Sequence, residues 1–222
     1  MSHNSEDQIS KDEIKKEFQL ERMILFSDAV FAIVITLMAI EIRIPETSER
    51  LEGDFLKKEL LHLVPVVAAY IVSFFFIGSI WYQHLKIFSL VKDYDKGLVV
   101  RNLLLLFFVG LFPFSASLIT RSKGTSVAFF VYLGIILCCM ISQFVLQHYI
   151  VIKRPALRIN TNFSEHLKEL KRRQILVIGF SIAFVLCVST FTLFKDPDIR
   201  SLAPLWIVPV VIIYRLLGRK RK

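Results

Sequence analysis

The chain has 222 residues, of which 55% are hydrophobic and 20 are Phe, and it carries a formal net charge of +9. Its mean hydropathy is +0.57. A composition this apolar excludes an ordinary water-soluble surface and places the chain among membrane proteins. The sequence contains no glycine-rich phosphate loop, nucleophile elbow or paired-His zinc motif, so nothing in it points to an enzyme.

Residues 1–21 are polar, mixing acidic with basic side chains, and do not resemble a cleavable signal peptide. They are expected to form a cytoplasmic N-terminal segment. Ser10 followed by Glu13 has capping-box spacing, so a helix starting near Lys11 and a disordered tail are the two readings of this segment. Apolar blocks then fall near 23–44, 60–88, 98–120, 125–152, 174–194 and 201–217. Crossing the hydrocarbon core takes about 20 apolar residues. Five blocks reach that length; the last is short and contains Pro204 and Pro209, which leaves it kinked, tilted or partly inserted. The expected architecture is all-α and polytopic, with six transmembrane helices in a domain spanning 22–217 and a basic tail at 218–222. Pro65 and Pro113 are expected to kink the second and third spans.

Lys and Arg in the connections set the orientation. If the N-terminus is inside, the inner segments carry Lys86, Lys92, Lys96 and Arg101, then Lys153, Arg154, Arg158, Lys168, Lys171, Arg172 and Arg173, and finally Arg215 and the 219–222 cluster. This bias predicts a cell-membrane protein with both termini in the cytoplasm. The positive charge then faces anionic inner-leaflet lipid and requires no nucleic-acid partner. The 45–59 loop is acidic and falls on the outer side, where a plain solvated loop is the simpler reading and enrichment of cations at a pore mouth the sharper one. Glu41 and Arg43 read as interfacial anchors. Cys138, Cys139 and Cys187 lie within apolar blocks, and the five His are dispersed, so neither a disulfide, a metal site nor a cofactor is expected.

The first block, ERMILFSDAVFAIVITLMAIE, contains an ionisable Asp28 in an apolar run, and such a residue marks a functional-site candidate. On a helix, Ile33, Leu37 and Ile40 form one stripe with Thr36 beside them. Asp28 lies about 140° from Ile33 and about 180° from Leu37. Either the stripe faces a pore and Asp28 is buried among helices, or the arrangement is reversed; periodicity alone leaves both open.

The segment Arg22-x-x-x-Phe26-Ser27-Asp28 with the AVFAIVITLMAIE that follows resembles the first helix of the prokaryotic TMEM175 potassium channels. Trp81-Tyr82-Gln83-His84, and Asn102-Leu103-Leu104 leading to Phe112-Pro113-Phe114, fit the same family. The resemblance implies a homotetrameric, potassium-selective cation channel in which each subunit gives its first helix to a central pore, with K+ as the permeant ion. By position, Ile33, Thr36, Leu37 and Ile40 would line that pore and Ile33 would form its narrowest ring. Arg22, Phe26, Ser27, Asp28, Trp81, His84 and Asn102 would form a structural polar network behind it. The alternative is a proton- or cation-coupled secondary transporter that uses Asp28, which calls for a broken helix or an inverted repeat.

Overall fold

The computed structural model describes residues 2–40, 42, 54–121, 126–159 and 163–219; within these, the side chains of 2–13, 54–59, 62, 65, 120, 121, 197 and 214–219 are not described. Eight α-helices follow one another: α1 (Ser2–Ile40), α2 (Asp54–Phe88), α3 (Lys96–Gly110), α4 (Phe112–Arg121), α5 (Ser126–His148), α6 (Phe163–Leu193), α7 (Pro197–Ser201) and α8 (Val208–Arg219). A π-turn at Tyr149–Lys153 and short 3-10 turns at Pro155–Leu157 and Ala203–Ile207 complete the described residues. The expected anchors Glu41 and Arg43, and most of the acidic 45–59 loop, lie outside them.

Among the described residues, five stretches are long and apolar enough to cross a membrane: Ile14–Ile40, Val66–Phe88, Lys96–Ile119, Ser126–Lys153 and Phe163–Leu193. The chain is therefore a multi-pass membrane protein with an all-α fold. Three boundaries differ from the sequence reading. Helix α1 begins at Ser2, upstream of Lys11. Helix α6 begins at Phe163, before the apolar block at 174, so the basic run Lys171-Arg172-Arg173 is helical and continuous with the span. The sixth block, 201–217, opens on the last residue of α7 and is divided into a 3-10 turn and the 12-residue α8. Pro204 and Pro209, which lack backbone N–H donors, fall at the start of the last two pieces.

Local chemistry explains the ends of the third span. The Asp95 carboxylate caps α3 by accepting from the Leu98 amide at 2.7 Å. The helix breaks at Leu111, whose amide is shared between the Phe107 and Phe108 carbonyls at 3.2 Å each. Pro113, two residues on, has no amide to continue the ladder, and the chain resumes as α4. By contrast, α2 runs through Pro65 without a break in its assignment.

Helix α1 packs on α2 and α3, α3 on α5, and α5 on α6. Phe31, Ile77, Leu98, Leu105, Phe112, Leu146 and Ile150 are almost wholly enclosed along these contacts. Phe76 stacks on Phe112 with centroids 5.4 Å apart, and Tyr132 meets the same ring edge-on at 5.2 Å. At the basic end, the segment after α2 pairs with the segment after α5. Lys92 N donates to the Leu157 carbonyl at 2.9 Å, and Ile159 N to the Leu90 carbonyl at 2.8 Å. This pairing joins the connection that carries Lys92, Asp93 and Asp95 to the one that carries Arg154 and Arg158.

Candidate functional site

Helix α1 has two faces. Ser27, Phe31, Val34 and Met38 recur at i, i+4, i+7 and i+11 and are buried against the rest of the subunit. Ile33, Leu37 and Ile40 lie about 120° round the helix from that stripe and are exposed by 56%, 45% and 55%. The aliphatic stripe is thus about half exposed in the chain. Thr36 lies on the same open side, and its hydroxyl is within bonding distance of the Ala32 and Ile33 carbonyls at 3.0 and 2.9 Å.

The packed face carries the polar residues. The Ser27 hydroxyl donates to the Met23 carbonyl at 2.8 Å, so its oxygen is free to accept from Asn102 Nδ2, also at 2.8 Å. That orientation directs Asn102 Oδ1 at His84 Nε2, 2.8 Å away. A carbonyl oxygen only accepts, so the bonding pattern assigns the proton to Nε2 of His84. The result is a one-way chain from α2 through α3 to α1: His84 to Asn102, Asn102 to Ser27, Ser27 to the backbone. His84, Asn102 and Ser27 are all buried. His84 is also held between rings, with Phe88 at 4.4 Å and Phe31 at 5.5 Å between centroids. Its Nδ1 is buried without a hydrogen-bond partner among the described residues.

Asp28 is on the edge of the packed face, on the flank away from Ile33 and Leu37. Its Oδ1 accepts from the Trp81 indole N–H at 2.9 Å. The structure therefore brings together Ser27, Asn102 and His84 in one chain and Asp28 with Trp81 in a neighbouring pair. Arg22 and Phe26 are not joined to either: both are exposed, and the Arg22 guanidinium lies 5.9 Å from the Phe18 ring centroid one turn earlier on α1.

Several polar side chains inside the bundle escaped the sequence reading. The hydroxyls of Ser73 on α2 and Tyr132 on α5 meet at 2.8 Å. Gln143 on α5 donates to the Ile80 carbonyl of α2 at 2.8 Å. Arg173 on α6 donates to Gln83 Oε1 at 2.9 Å. A polar residue within an apolar span is the signal that marks such positions, and Ser73, Gln143 and Gln147 all carry it.

At the basic rim, Asp95 is the hub. Besides capping α3 it accepts from the Tyr149 hydroxyl at 2.7 Å and lies 3.6 Å from Arg154 Nε. The Arg101 guanidinium covers the Tyr149 ring at 3.8 Å and donates to the Gly97 carbonyl at 2.8 Å. Desolvation pushes the Asp95 carboxyl upward, but the Tyr149 and Leu98 hydrogen bonds and the two guanidinium groups together hold it below the ordinary carboxylate value. The cysteines are free, and no group of three or more metal-binding side chains occurs among the described residues.

Residues 22–113 match the sequence model of the family described as endosomal/lysosomal potassium channel TMEM175. The fold also matches the crystal structure of a lysosomal potassium-selective channel TMEM175 homolog from Chamaesiphon minutus. The TM-score is 0.67 at 29% identity, covering 87% of this chain and 99% of that one. Over residues 22–113 the chain is thus similar to the TMEM175 family, and its fold is TMEM175-like. Among curated TMEM175-related proteins, a potassium channel of Chamaesiphon minutus is 37% identical over 132 residues, 58% of this chain and 64% of the relative. A potassium channel of a Chryseobacterium strain is 36% identical over 105 residues, 47% of this chain and 49% of the relative. The mouse protein named endosomal/lysosomal proton channel TMEM175 is 27% identical over 179 residues, 79% of this chain and 35% of that longer protein. The chain thus spans about half to two thirds of these two bacterial relatives. The family is one of ion channels, not of enzymes.

Proposed function

We propose that the chain is one subunit of a potassium-selective cation channel in the cell membrane, with both termini cytoplasmic and the pore formed by α1 from four copies. The observation that carries this reading is the division of α1 into a face anchored by hydrogen bonds and an aliphatic face left half exposed by its own subunit. Burying that half-exposed stripe around a shared axis completes the structure and makes a path for ions in one step. Ile33, Leu37 and Ile40 then line the path with Thr36 beside them, and Ile33 forms the narrowest ring. Rings of branched aliphatic side chains close a pore by dewetting. When they dilate, they favour the cation that sheds water at least cost, which is potassium rather than sodium. Arg22, Phe26, Ser27, Asp28, Trp81, His84 and Asn102 serve this pore by holding or flanking its helix rather than by touching the ion. The names of the bacterial relatives support the choice of ion.

The coupled-transporter reading calls for a broken helix or an inverted repeat, and α1 is continuous from Ser2 to Ile40. The test is bi-ionic current from purified protein in planar bilayers, with potassium opposed to sodium, comparing the native chain with Ile33→Asn. A potassium-favouring current that grows or loses selectivity in the variant supports the aliphatic constriction. Stoichiometric, Asp28-dependent flux without channel current overturns it.

A further inference from the structure

Helix α2 stands between the candidate pore helix and the α5–α6 pair, and its ties to the two sides differ. Toward α1 it packs extensively. Toward α5 and α6 it is held by a ladder of polar bonds at Ser73, Ile80 and Gln83. The lowest rungs converge on one turn. Gln143 holds the Ile80 carbonyl, and the half-buried Arg173 donates from Nη2 to Gln83 Oε1 at 2.9 Å and more distantly from Nη1 to the Gln143 carbonyl at 3.4 Å. Gln83 in turn donates to Ser79 Oγ at 3.2 Å, one turn back on its own helix.

The same turn carries the contacts to α1. Trp81 and Gln83 are two residues apart, so they project about 200° apart round α2, on opposite sides. Trp81 reaches the Asp28 carboxylate of α1, and His84 reaches Ser27 of α1 through Asn102. A guanidinium on α6 and a carboxylate on α1 thus grip one helical turn from both sides, through a neutral side chain each.

We propose that Arg173 is a positioning residue for the candidate pore helix: through Gln83 it fixes the 80–84 turn of α2, and that turn fixes Asp28 and Ser27 of α1. An arginine suits the task because its planar fork presents several donors at once and keeps its charge when partly desolvated. Lysine keeps the charge but offers a single donor group on a looser stem. The proposal deepens the channel reading and rests on it for its permeability measurement alone.

The chain holds two tryptophans, so Trp206→Phe leaves Trp81 as the only indole reporter. In that background, Arg173→Gln and Gln83→Met are each expected to red-shift Trp81 emission and to lower the potassium-to-sodium permeability ratio several-fold. The double variant is expected to do no more than either single one, because both cut the same link. Arg173→Lys is expected to retain most of the native emission. Unchanged emission and permeability in an Arg173→Gln protein that elutes as the native assembly would show an arginine that merely fills space, and would overturn the proposal. If Arg173→Gln fails to assemble, Gln83→Met decides on the same outcomes. A native protein that carries no current while the emission shift persists would overturn the channel reading and leave the positioning role supported.

Discussion

The polar chain inside the bundle and the charged cluster at its basic rim do the same job, joining helices, by opposite means. The inner chain is neutral and runs one way, His84 donating to Asn102 and Asn102 to Ser27, whose hydroxyl ends the chain on its own helix backbone. The rim is charged and redundant, since Asp95 alone engages Leu98, Tyr149 and Arg154 while Arg101 covers the same tyrosine. Charge is expensive in hydrocarbon, so this inner chain uses neutral groups aligned to satisfy one another; at the interface, where water lowers the cost, ion pairs and rings share the load. Breaking one link should therefore strand a buried group inside and be partly absorbed at the rim.

The largest expected effect tests the rim where it is not redundant. A Cβ at Gly97 would collide with the Tyr149 phenol, which cannot withdraw without leaving Asp95 and Arg101. Gly97→Ala should cost about 3 kcal/mol, the upper range for overpacking a filled site, read from reversible unfolding in mixed micelles. Asn102→Ala comes next, at about 2 kcal/mol, because it leaves the Nε2 proton of His84 buried with no acceptor. An Asn102→Ala protein as stable as the native one would erase the contrast between the two regions. Trp81→Phe removes one hydrogen bond at a partly open edge and should cost about 0.5–1 kcal/mol.

Two smaller effects sharpen the rim side. Asp95 has a folded-state pKa below its ordinary value, so its stabilisation is present above the ordinary carboxylate range and disappears as pH falls through the lowered value. The native protein should therefore exceed Asp95→Asn in melting temperature near neutral pH, with the gap closing in acid. A gap that widened in acid would have the wrong sign. Lys16 and Asp93 form an exposed ion pair at 3.7 Å between α1 and the segment before α3. Lys16→Ala should cost less than about 0.5 kcal/mol, and high salt should remove even that.

Much of this was legible in the sequence, and the exceptions have physical causes. The apolar blocks gave six spans, of which five are long apolar stretches because lipid demands unbroken apolar length; the sixth, read as kinked, tilted or partly inserted at Pro204 and Pro209, is divided into short pieces. Helical geometry placed Asp28 away from Ile33 and Leu37, as it stands in the fold. Arg173 was misread as a loop cation because it ends the run Lys171-Arg172-Arg173; the sequence shows that the run is basic but not which of the three turns toward Gln83. Arg22 belongs to the motif by spacing, but its guanidinium lies against Phe18 rather than against the Ser27–Asn102–His84 chain or the Asp28–Trp81 pair. The rim cluster was invisible for another reason: Asp95 and Arg101 lie about 50 residues from Tyr149 and Arg154, and the packing of α3 on α5 with the pairing of the two connections brings them together.

The central claim is that the open face of α1 lines the ion path while the opposite face is fixed in the subunit. Thiol-reagent block of current, scanned along α1 in a background lacking Cys138, Cys139 and Cys187, tests it most directly. The account predicts block at Ile33→Cys, Leu37→Cys and Ile40→Cys and none at Phe31→Cys, Val34→Cys or Met38→Cys. Block confined to the second set, or to Asp28→Cys, would contradict it.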